Sequence, residues 1–541
     1  MNTTFLNKNL LLLNKVRLFY ISLFMCVNYS IAQNAVNIAL IEFKDKDITN
    51  QSIQSYIDLP ISKYYIQQLE SEGMIYKTGS NWLNIGLFAY TDVSALKNIS
   101  LFPFIKKISL DCINKENITQ NLPDNKFQKE IEFIPQTNVR IDGTASYYLP
   151  QILQLNGDYI QDLGYNGTGI KIAIIDAGFP NANTLGSLQH IYQSNRLLGR
   201  YDFYQNDSNV YANNSHGTNT FSIIGGLNDN FSGSAPNASF YLFRTEVDAF
   251  EGQTEEFFLS QALERCVELG VKVTSISLGY ENNGGNGFND GTTSHTLTDM
   301  NGHTTIAAKA ANIAASKGII VCVSAGNEGV APWHYIVTPA DADSAFTIGA
   351  VDINGYPASF SSYNFDTSIR VKPNVAAMGV STAFINQNNS ISYGPGTSYS
   401  CPIIAGLSAC LWQAFPNKTA WQVKTAIEQS ASQYLAPDKH IGYGIPDFKK
   451  AYQILSAPNE VQDQFILYPN PVTDNLYIRN NSSSNIQSIL IYNSIGQLVY
   501  SETNSSSVQK TIPMNNLTSG MFISKITTTN GDIFTKKIIK E

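Results

Sequence analysis

The sequence predicts an α/β protein: a doubly wound parallel sheet in mid-chain, with a small α+β unit before it and a β-sandwich after it. Three observations carry this. Between residues 148 and 456, short apolar runs alternate with helical patterns, the signature of parallel strands joined by crossover helices. Residues 36–110 crowd strand-like and helical runs into a short stretch. From about Glu460 the pattern changes to brief β-like runs among Asn, Ser and Thr. A chain of 541 residues is expected to fold as two to four domains, and 43% hydrophobic residues suffice for several cores. Charged residues are only 14% and the net charge is −8 with no long basic run, which argues against nucleic acid as a partner.

Taken in order, residues 1–32 read as an export signal. Lys8, Lys15 and Arg17 precede the apolar run Leu18 to Val27, and Ser30-Ile31-Ala32 gives a small-x-small cleavage pattern. That run is about half the roughly twenty residues a membrane span needs. In the next unit, 33–112, Val36 to Phe43 alternates as a strand. Ser62 to Ser71 reads as a helix, Trp82 to Phe88 as a strand, Asp92 to Ile99 as a helix and Phe102 to Leu110 as a last strand. Residues 113–147 are polar with little periodicity and suit a linker open to cleavage.

In the central domain, 148–456, Ile170 to Ile175 is a near-continuous apolar run, as expected for a strand buried on both faces. A helix should follow His216. Ser239 to Phe243, Val271 to Leu278 and Ile319 to Val323 read as strands. Thr254 to Leu269 reads as a helix with Glu255 and Glu256 in its first turn and Gly270 at its stop. Thr304 to Lys317 and Ser398 to Ala414 read as further helices, and Thr419 caps another. Asn282 to Asn301 is a polar, Gly-rich insertion whose Asp290 and Asp299 read as loop residues. Residues 457–541 form the strand-rich end.

Four motifs carry chemistry: Ile-Ile-Asp176-Ala-Gly, Ser-His216-Gly-Thr, Ser-Ala-Gly-Asn327-Glu-Gly and Gly-Thr-Ser398-Tyr-Ser-Cys-Pro. A serine hydroxyl needs a base to become a nucleophile at neutral pH, and an imidazole is suited to that task. A carboxylate at the end of a buried strand can fix the imidazole's tautomer and stabilise the imidazolium. Ser398 opens a helix, where backbone N–H groups lack partners. With the Asn327 amide they would make a two-donor oxyanion hole. The order Asp, His, Ser separates this set from the other chain orders in which such triads occur.

Together these motifs resemble the subtilisin-like serine proteases, the subtilases of peptidase S8 type, over roughly Tyr148 to Leu455. The resemblance implies a secreted serine endopeptidase with Asp176, His216 and Ser398 catalytic and Asn327 in the oxyanion hole. It also implies that Ser277, Leu278 and Gly279 pair with an extended substrate. Ser324, Ala325 and Gly326 would wall the pocket for the residue before the scissile bond. Tyr399-Ser400-Cys401 departs from the family's more usual Met-Ala-Ala. No cofactor is implied; structural calcium is common in subtilases, but no acidic cluster here is convincing.

Phe43-Lys-Asp-Lys-Asp47 and Asp58-Leu-Pro-Ile-Ser62 are similar to the inhibitory propeptides that precede subtilase domains. Tyr468-Pro-Asn-Pro, Gly520-Met-Phe and the terminal Lys536, Lys537 and Lys540 resemble the C-terminal sorting domain of the type IX secretion system. The chain is therefore expected to be a monomeric zymogen. Its partners would be protein or peptide substrates and the outer-membrane secretion machinery. It would travel through the periplasm and across the outer membrane to a secreted or surface location. Cys26 and Cys112 would leave with the signal and propeptide. Cys266, Cys322, Cys401 and Cys410 would remain, with Cys322 in an apolar strand and Cys401 in an apolar helix as buried thiols; their pairing cannot be read from sequence. The rival reading is a catalytically silent surface or adhesive protein that keeps the fold, against which all four functional positions are filled. Acid-active serine-carboxyl peptidases would need a carboxylate where His216 and Asn327 stand.

Overall fold

The computed structural model describes residues 36–46, 56–113, 139–140, 147–457 and 465–541, apart from short gaps at 213, 248–250, 282–287, 289–293, 366–367, 369, 481–484, 495, 506–508 and 532. The export signal, Asp290 and most of the linker lie outside the described residues. The chain divides into two compact units, Met1–Leu455 and Ser456–Glu541.

The first unit begins with a four-stranded antiparallel sheet of β1 (Val36–Phe43), β2 (Ile75–Ser80), β3 (Ile85–Tyr90) and β4 (Ile105–Ile113), in the order β2-β3-β1-β4. Strand period sorts its side chains. Ala39, Ile41 and Phe43 of β1, with Phe88 and Tyr90 of β3, face helices α1 (Lys63–Ser71) and α2 (Val93–Ile99). Ile38 and Leu40, with Ile85, Leu87 and Ala89, face the other way onto Val247, Phe257 and Phe258. Both faces of this small sheet are thus covered, the second by the central domain.

The strand expected at Trp82 starts later, at Ile85. Residues 81–84 form a turn because the Asn81 and Trp82 N–H groups donate to Glu264, at 3.1 and 3.3 Å, instead of to a neighbouring strand. Strand β2 went unread because Lys77 and Gly79 break its apolar alternation. In the linker, Val139–Arg140 pairs antiparallel with Tyr147–Tyr148.

The central sheet has seven parallel strands: β5 (Lys171–Asp176), β6 (Leu197–Asp202), β7 (Ser239–Arg244), β8 (Val273–Ile276), β9 (Ile320–Ser324), β10 (Phe346–Val351) and β11 (Val375–Met378). Their order is β11-β10-β9-β8-β5-β7-β6. Ile172 and Ile174 of β5 face a cluster with helices α3 (His216–Gly225), α6 (Thr397–Ala414) and α7 (Ala420–Ser430). Ala173 and Ile175 face the opposite cluster, with α4 (Gln253–Glu268) and α5 (Ile306–Ser316). Helices on both faces explain why β5 reads as an unbroken apolar run. Thr419 caps α7 as expected, exchanging bonds with Gln422 as a capping box, and Thr305 caps α5 by accepting from Ala308 N. The four remaining cysteines are all buried and free. Among the described residues no helix is long and apolar enough to cross a membrane.

The second unit holds two antiparallel sheets around one core. The three-stranded sheet is β12 (Phe465–Tyr468), β13 (Asn475–Asn480) and β16 (Gln509–Pro513), in the order β12-β13-β16. The four-stranded sheet runs β15 (Leu498–Ser505), β14 (Ile486–Asn493), β17 (Gly520–Thr528), β18 (Ile533–Lys540). Leu476, Ile478, Ile489, Ile491, Ile512, Ile526 and Ile538 fill the space between them.

Candidate active site

Strand β5 sits mid-sheet between β7 and β8, so the chain leaves it toward one edge and later returns on its other side. In open α/β sheets the crevice at such a switch point, beyond the carboxyl ends of the strands, is where ligands bind. Asp176 is the last residue of β5 and is fully buried. Its Oδ1 accepts from Ala177 N at 2.8 Å and lies 2.7 Å from His216 Nδ1. Its Oδ2 accepts from Thr220 Oγ1 at 3.0 Å.

His216 is the first residue of α3, with its backbone N–H held by Asn214 Oδ1 at 2.8 Å. The helix can come this close because residue 217 is glycine: a Cβ there would stand 2.3 Å from Gly178 O and 3.0 Å from Asp176 Cβ. A carboxylate bonded in this way can only accept, so Nδ1 carries the proton and Nε2 is the ring's other, basic nitrogen.

Ser398 is the second residue of α6 and is partly exposed. Its carbonyl accepts from Ser277 Oγ at 2.9 Å, which ties the segment after β8 to the helix start. Tyr399, next in sequence, stacks on the His216 ring with centroids 6.1 Å apart. Asn327 follows the end of β9 by three residues. Its Oδ1 accepts from Thr397 N at 2.9 Å and Thr397 Oγ1 at 3.0 Å, which orients its amide. Thr397 Oγ1 also accepts from Gly326 N at 3.2 Å. Ser324, Ala325, Ser277 and Leu278 are buried, and Leu278 joins the core on the α4 side; Gly279 and Gly326 stay partly exposed.

Two residues of this arrangement went unassigned in the sequence. Thr220 is one turn along α3 from His216, and Thr397 stands inside the Gly-Thr-Ser398 motif without a role of its own. Their spacing to His216 and Ser398 was the available signal; the partners lie far away in sequence.

Glu246, Glu251 and Glu255 place carboxylate oxygens within 4.8 Å of one another. Two of them hold local bonds: Glu255 accepts from Val247 N at 2.7 Å and Gly252 N at 3.2 Å, and Glu246 from Tyr280 OH at 2.7 Å. The Glu255 bonds close the start of α4. Asp299 likewise accepts from Thr296 N at 2.8 Å as a local cap.

Residues 167–444 match the model of the subtilase family. The chain belongs to the subtilase family. Residues 43–128 match the peptidase S8 propeptide domain of Bacteroidota, and residues 466–541 the secretion system C-terminal sorting domain. This subtilase is 28% identical to subtilisin DY of Bacillus licheniformis over 313 residues, 57% of this chain and 99% of that protein. It is 26% identical to alkaline elastase YaB of Bacillus sp. (strain YaB) over 293 residues, 54% of this chain and 66% of that one. Its fold is similar to that of the epidermin leader peptide processing serine protease of Staphylococcus aureus, with a TM-score of 0.54 and 17% identity over 77% of this chain and 99% of that one. The protein is thus a serine endopeptidase with a propeptide ahead of the catalytic domain. Its C-terminal sorting domain implies export across the outer membrane to a secreted or surface location.

Proposed function

We propose that this subtilase cleaves peptide bonds through an acyl-enzyme built on Asp176, His216 and Ser398. The observation that carries the reading is the 2.7 Å bond between His216 Nδ1 and the buried Asp176, at the crevice where the Ser398 helix begins. Ser398 Oγ attacks the scissile carbonyl carbon while His216 Nε2 takes its proton. The oxyanion is held by the Asn327 amide and the Ser398 N–H. The carbon–nitrogen bond then breaks, and His216 returns the proton to the leaving amine. Water repeats the sequence on the ester and restores the serine. Ser277 to Gly279 would align the substrate backbone as an added strand, and Ser324 to Gly326 would wall the pocket before the scissile bond. Substrates are proteins or peptides, and the enzyme works as a monomer without a cofactor. The test is a labelled fluorophosphonate: the full chain should label and hydrolyse peptides, and Ser398→Ala should do neither and should accumulate as the full proform. Labelling of Ser398→Ala equal to that of the parent would overturn the nucleophile.

Residues 33–112 are read as the inhibitory part of the zymogen, with maturation in 113–147. Support comes from their hold on α4. Glu264 accepts from Ser80 Oγ and from the Asn81 and Trp82 N–H groups, and Gln261 Nε2 donates to Gly79 O at 3.0 Å. Burial pushes the Glu264 carboxyl from 4.5 up to about 7, against those hydrogen bonds and the Lys46 charge. A raised pKa in the assembled state gives stability that is full below the ordinary value and lost as pH rises through about 7. The Ser398→Ala proform should therefore lose thermal stability from about pH 4.5 to about pH 7, and Glu264→Gln should flatten that slope. Lys46 is lowered to about 8 by burial, so its own window lies above this one. An unchanged slope in Glu264→Gln would assign the pH response to other groups.

A further inference from the structure

We infer that Val337 sets the size of the residue accepted before the scissile bond, and that this subtilase selects small side chains there: Gly, Ala or Ser. The inference rests on the reading of residues 277–279 and 324–326 as the two walls of that pocket. Strands β8 and β9 are parallel neighbours with Ile276 beside Val323, so the two segments leave the sheet side by side. Each wall presents one partly exposed glycine, Gly279 and Gly326. The wall after β8 is tied to Ser398 through Ser277, and the wall after β9 leads directly to Asn327. The space between them therefore lies under the nucleophile and the oxyanion amide.

That space is already occupied. A Cβ on Gly279 would stand 2.2 Å from Val337 Cγ2, and a Cβ on Gly326 would stand 3.1 and 3.2 Å from the two Val337 methyls. The isopropyl group thus reaches from one glycine to the other. Its backbone is tied to one wall, where Val337 N donates to Ala325 O at 3.3 Å, and the next residue is tied just beyond the other, where Tyr280 N donates to Thr338 O at 2.9 Å. Val337 is only 2% exposed, so little open depth remains above it. It packs with the buried Met300 and Trp333, with Tyr335 and Phe365 beside them, which keeps it from retreating before a bulky substrate group. A methyl or hydroxymethyl group can sit between the glycines, whereas a benzyl group would have to displace a packed valine. Close-packed interiors resist such overfilling.

The experiment uses the full chain, with competent serines counted by fluorophosphonate, and two succinyl-tetrapeptide p-nitroanilides that differ only in Ala or Phe before the scissile bond. The parent should prefer Ala by at least about tenfold in kcat/KM, the scale on which pocket volume discriminates. Val337→Gly should raise the Phe/Ala ratio by at least about tenfold at unchanged label stoichiometry, and Val337→Ala should move it in the same direction. If Val337→Gly does not fold, Val337→Ala and the parent ratio decide the matter. A parent that cleaves Phe as well as Ala, or labelled variants with an unchanged ratio, would overturn the inference alone. A parent that fails to label would defeat the Ser398 assignment and this inference with it.

Discussion

Asp176→Asn should leave the fold in place and lower kcat/KM about 10⁴-fold, the scale of this exchange in other Ser/His/Asp hydrolases. The amide matches the carboxylate in shape, and its partners can adapt. Oδ1 can still accept from Ala177 N. The Thr220 hydroxyl now donates to Oδ2 and sits 3.1 Å from Gly217 O; it can turn to accept from the new NH2 while donating to that carbonyl. What cannot be replaced is the negative charge, in a site with almost no access to water. Asp176 is fully buried and His216 only 7% exposed. When His216 takes the serine proton, an imidazolium without its counter-charge must be held there. An amide that turned its NH2 toward Nδ1 would also favour the wrong tautomer. Adding His216→Ala to Ser398→Ala should cost little more than the serine change alone, because the two act as one unit. Peptide hydrolysis by each variant, with circular dichroism to confirm folding, checks this. Asp176→Asn with a kcat/KM within tenfold of the parent would remove the carboxylate from the mechanism.

Much of the fold was legible because local signals agreed with one another. Strands β5, β7 and β9 announce themselves as apolar runs, α4 carries acidic residues in its first turn and glycine at its stop, and α7 carries its Thr419 cap. The sheet's outer strands were harder to see. Strand β6 includes Gly199 and Arg200 and is only partly buried, so its periodicity is weak. Strand β10 is fully buried, but Thr347 and Gly349 interrupt its apolar run, and β11 is only four residues long; both sit in stretches rich in Gly, Ala and Pro. The four motif residues stood out because each stands in a distinctive local context, and the fold brings Asp176 to His216 and Asn327 to the residue before Ser398. Thr220 and Thr397 could not be assigned roles, since their meaning depends on partners brought near only by the fold. Val337 is the clearest case: an ordinary valine in sequence, it meets Gly279 and Gly326 only in the fold. The Glu264 clasp on the N-terminal sheet joins residues more than 180 positions apart, beyond the reach of any local pattern.

The largest stability effect is expected at the edge of the same sheet. Asp202 ends β6 and Arg244 ends β7, exposed by 1% and 2%. Arg244 Nη1 donates to Asp202 Oδ2 at 2.7 Å, and its Nε donates to Ala177 O at 3.0 Å. Asp202 Oδ1 accepts from the N–H groups of Tyr204 and Gln205 at 3.0 and 2.9 Å. Asp202→Ala removes the carboxylate and leaves a guanidinium charge buried beside two unmet backbone donors. Breaking a buried pair in this one-sided way costs about 3–5 kcal/mol. In a domain of this size that is a fall in unfolding midpoint on the order of 10 °C. Asp202→Asn should cost less, because its Oδ1 can still serve the two N–H groups. Asp202→Ala with Arg244→Met should recover part of the loss, because the buried guanidinium deprived of the Asp202 carboxylate is gone. Activity should also decline, since Arg244 braces the carbonyl of the residue after Asp176 and a loosened Ala177 shifts the acceptor of His216. Thermal unfolding of these variants in the Ser398→Ala background, where self-digestion cannot intervene, measures the effect. A midpoint for Asp202→Ala within about a degree of its parent would mean that the pair holds nothing in place.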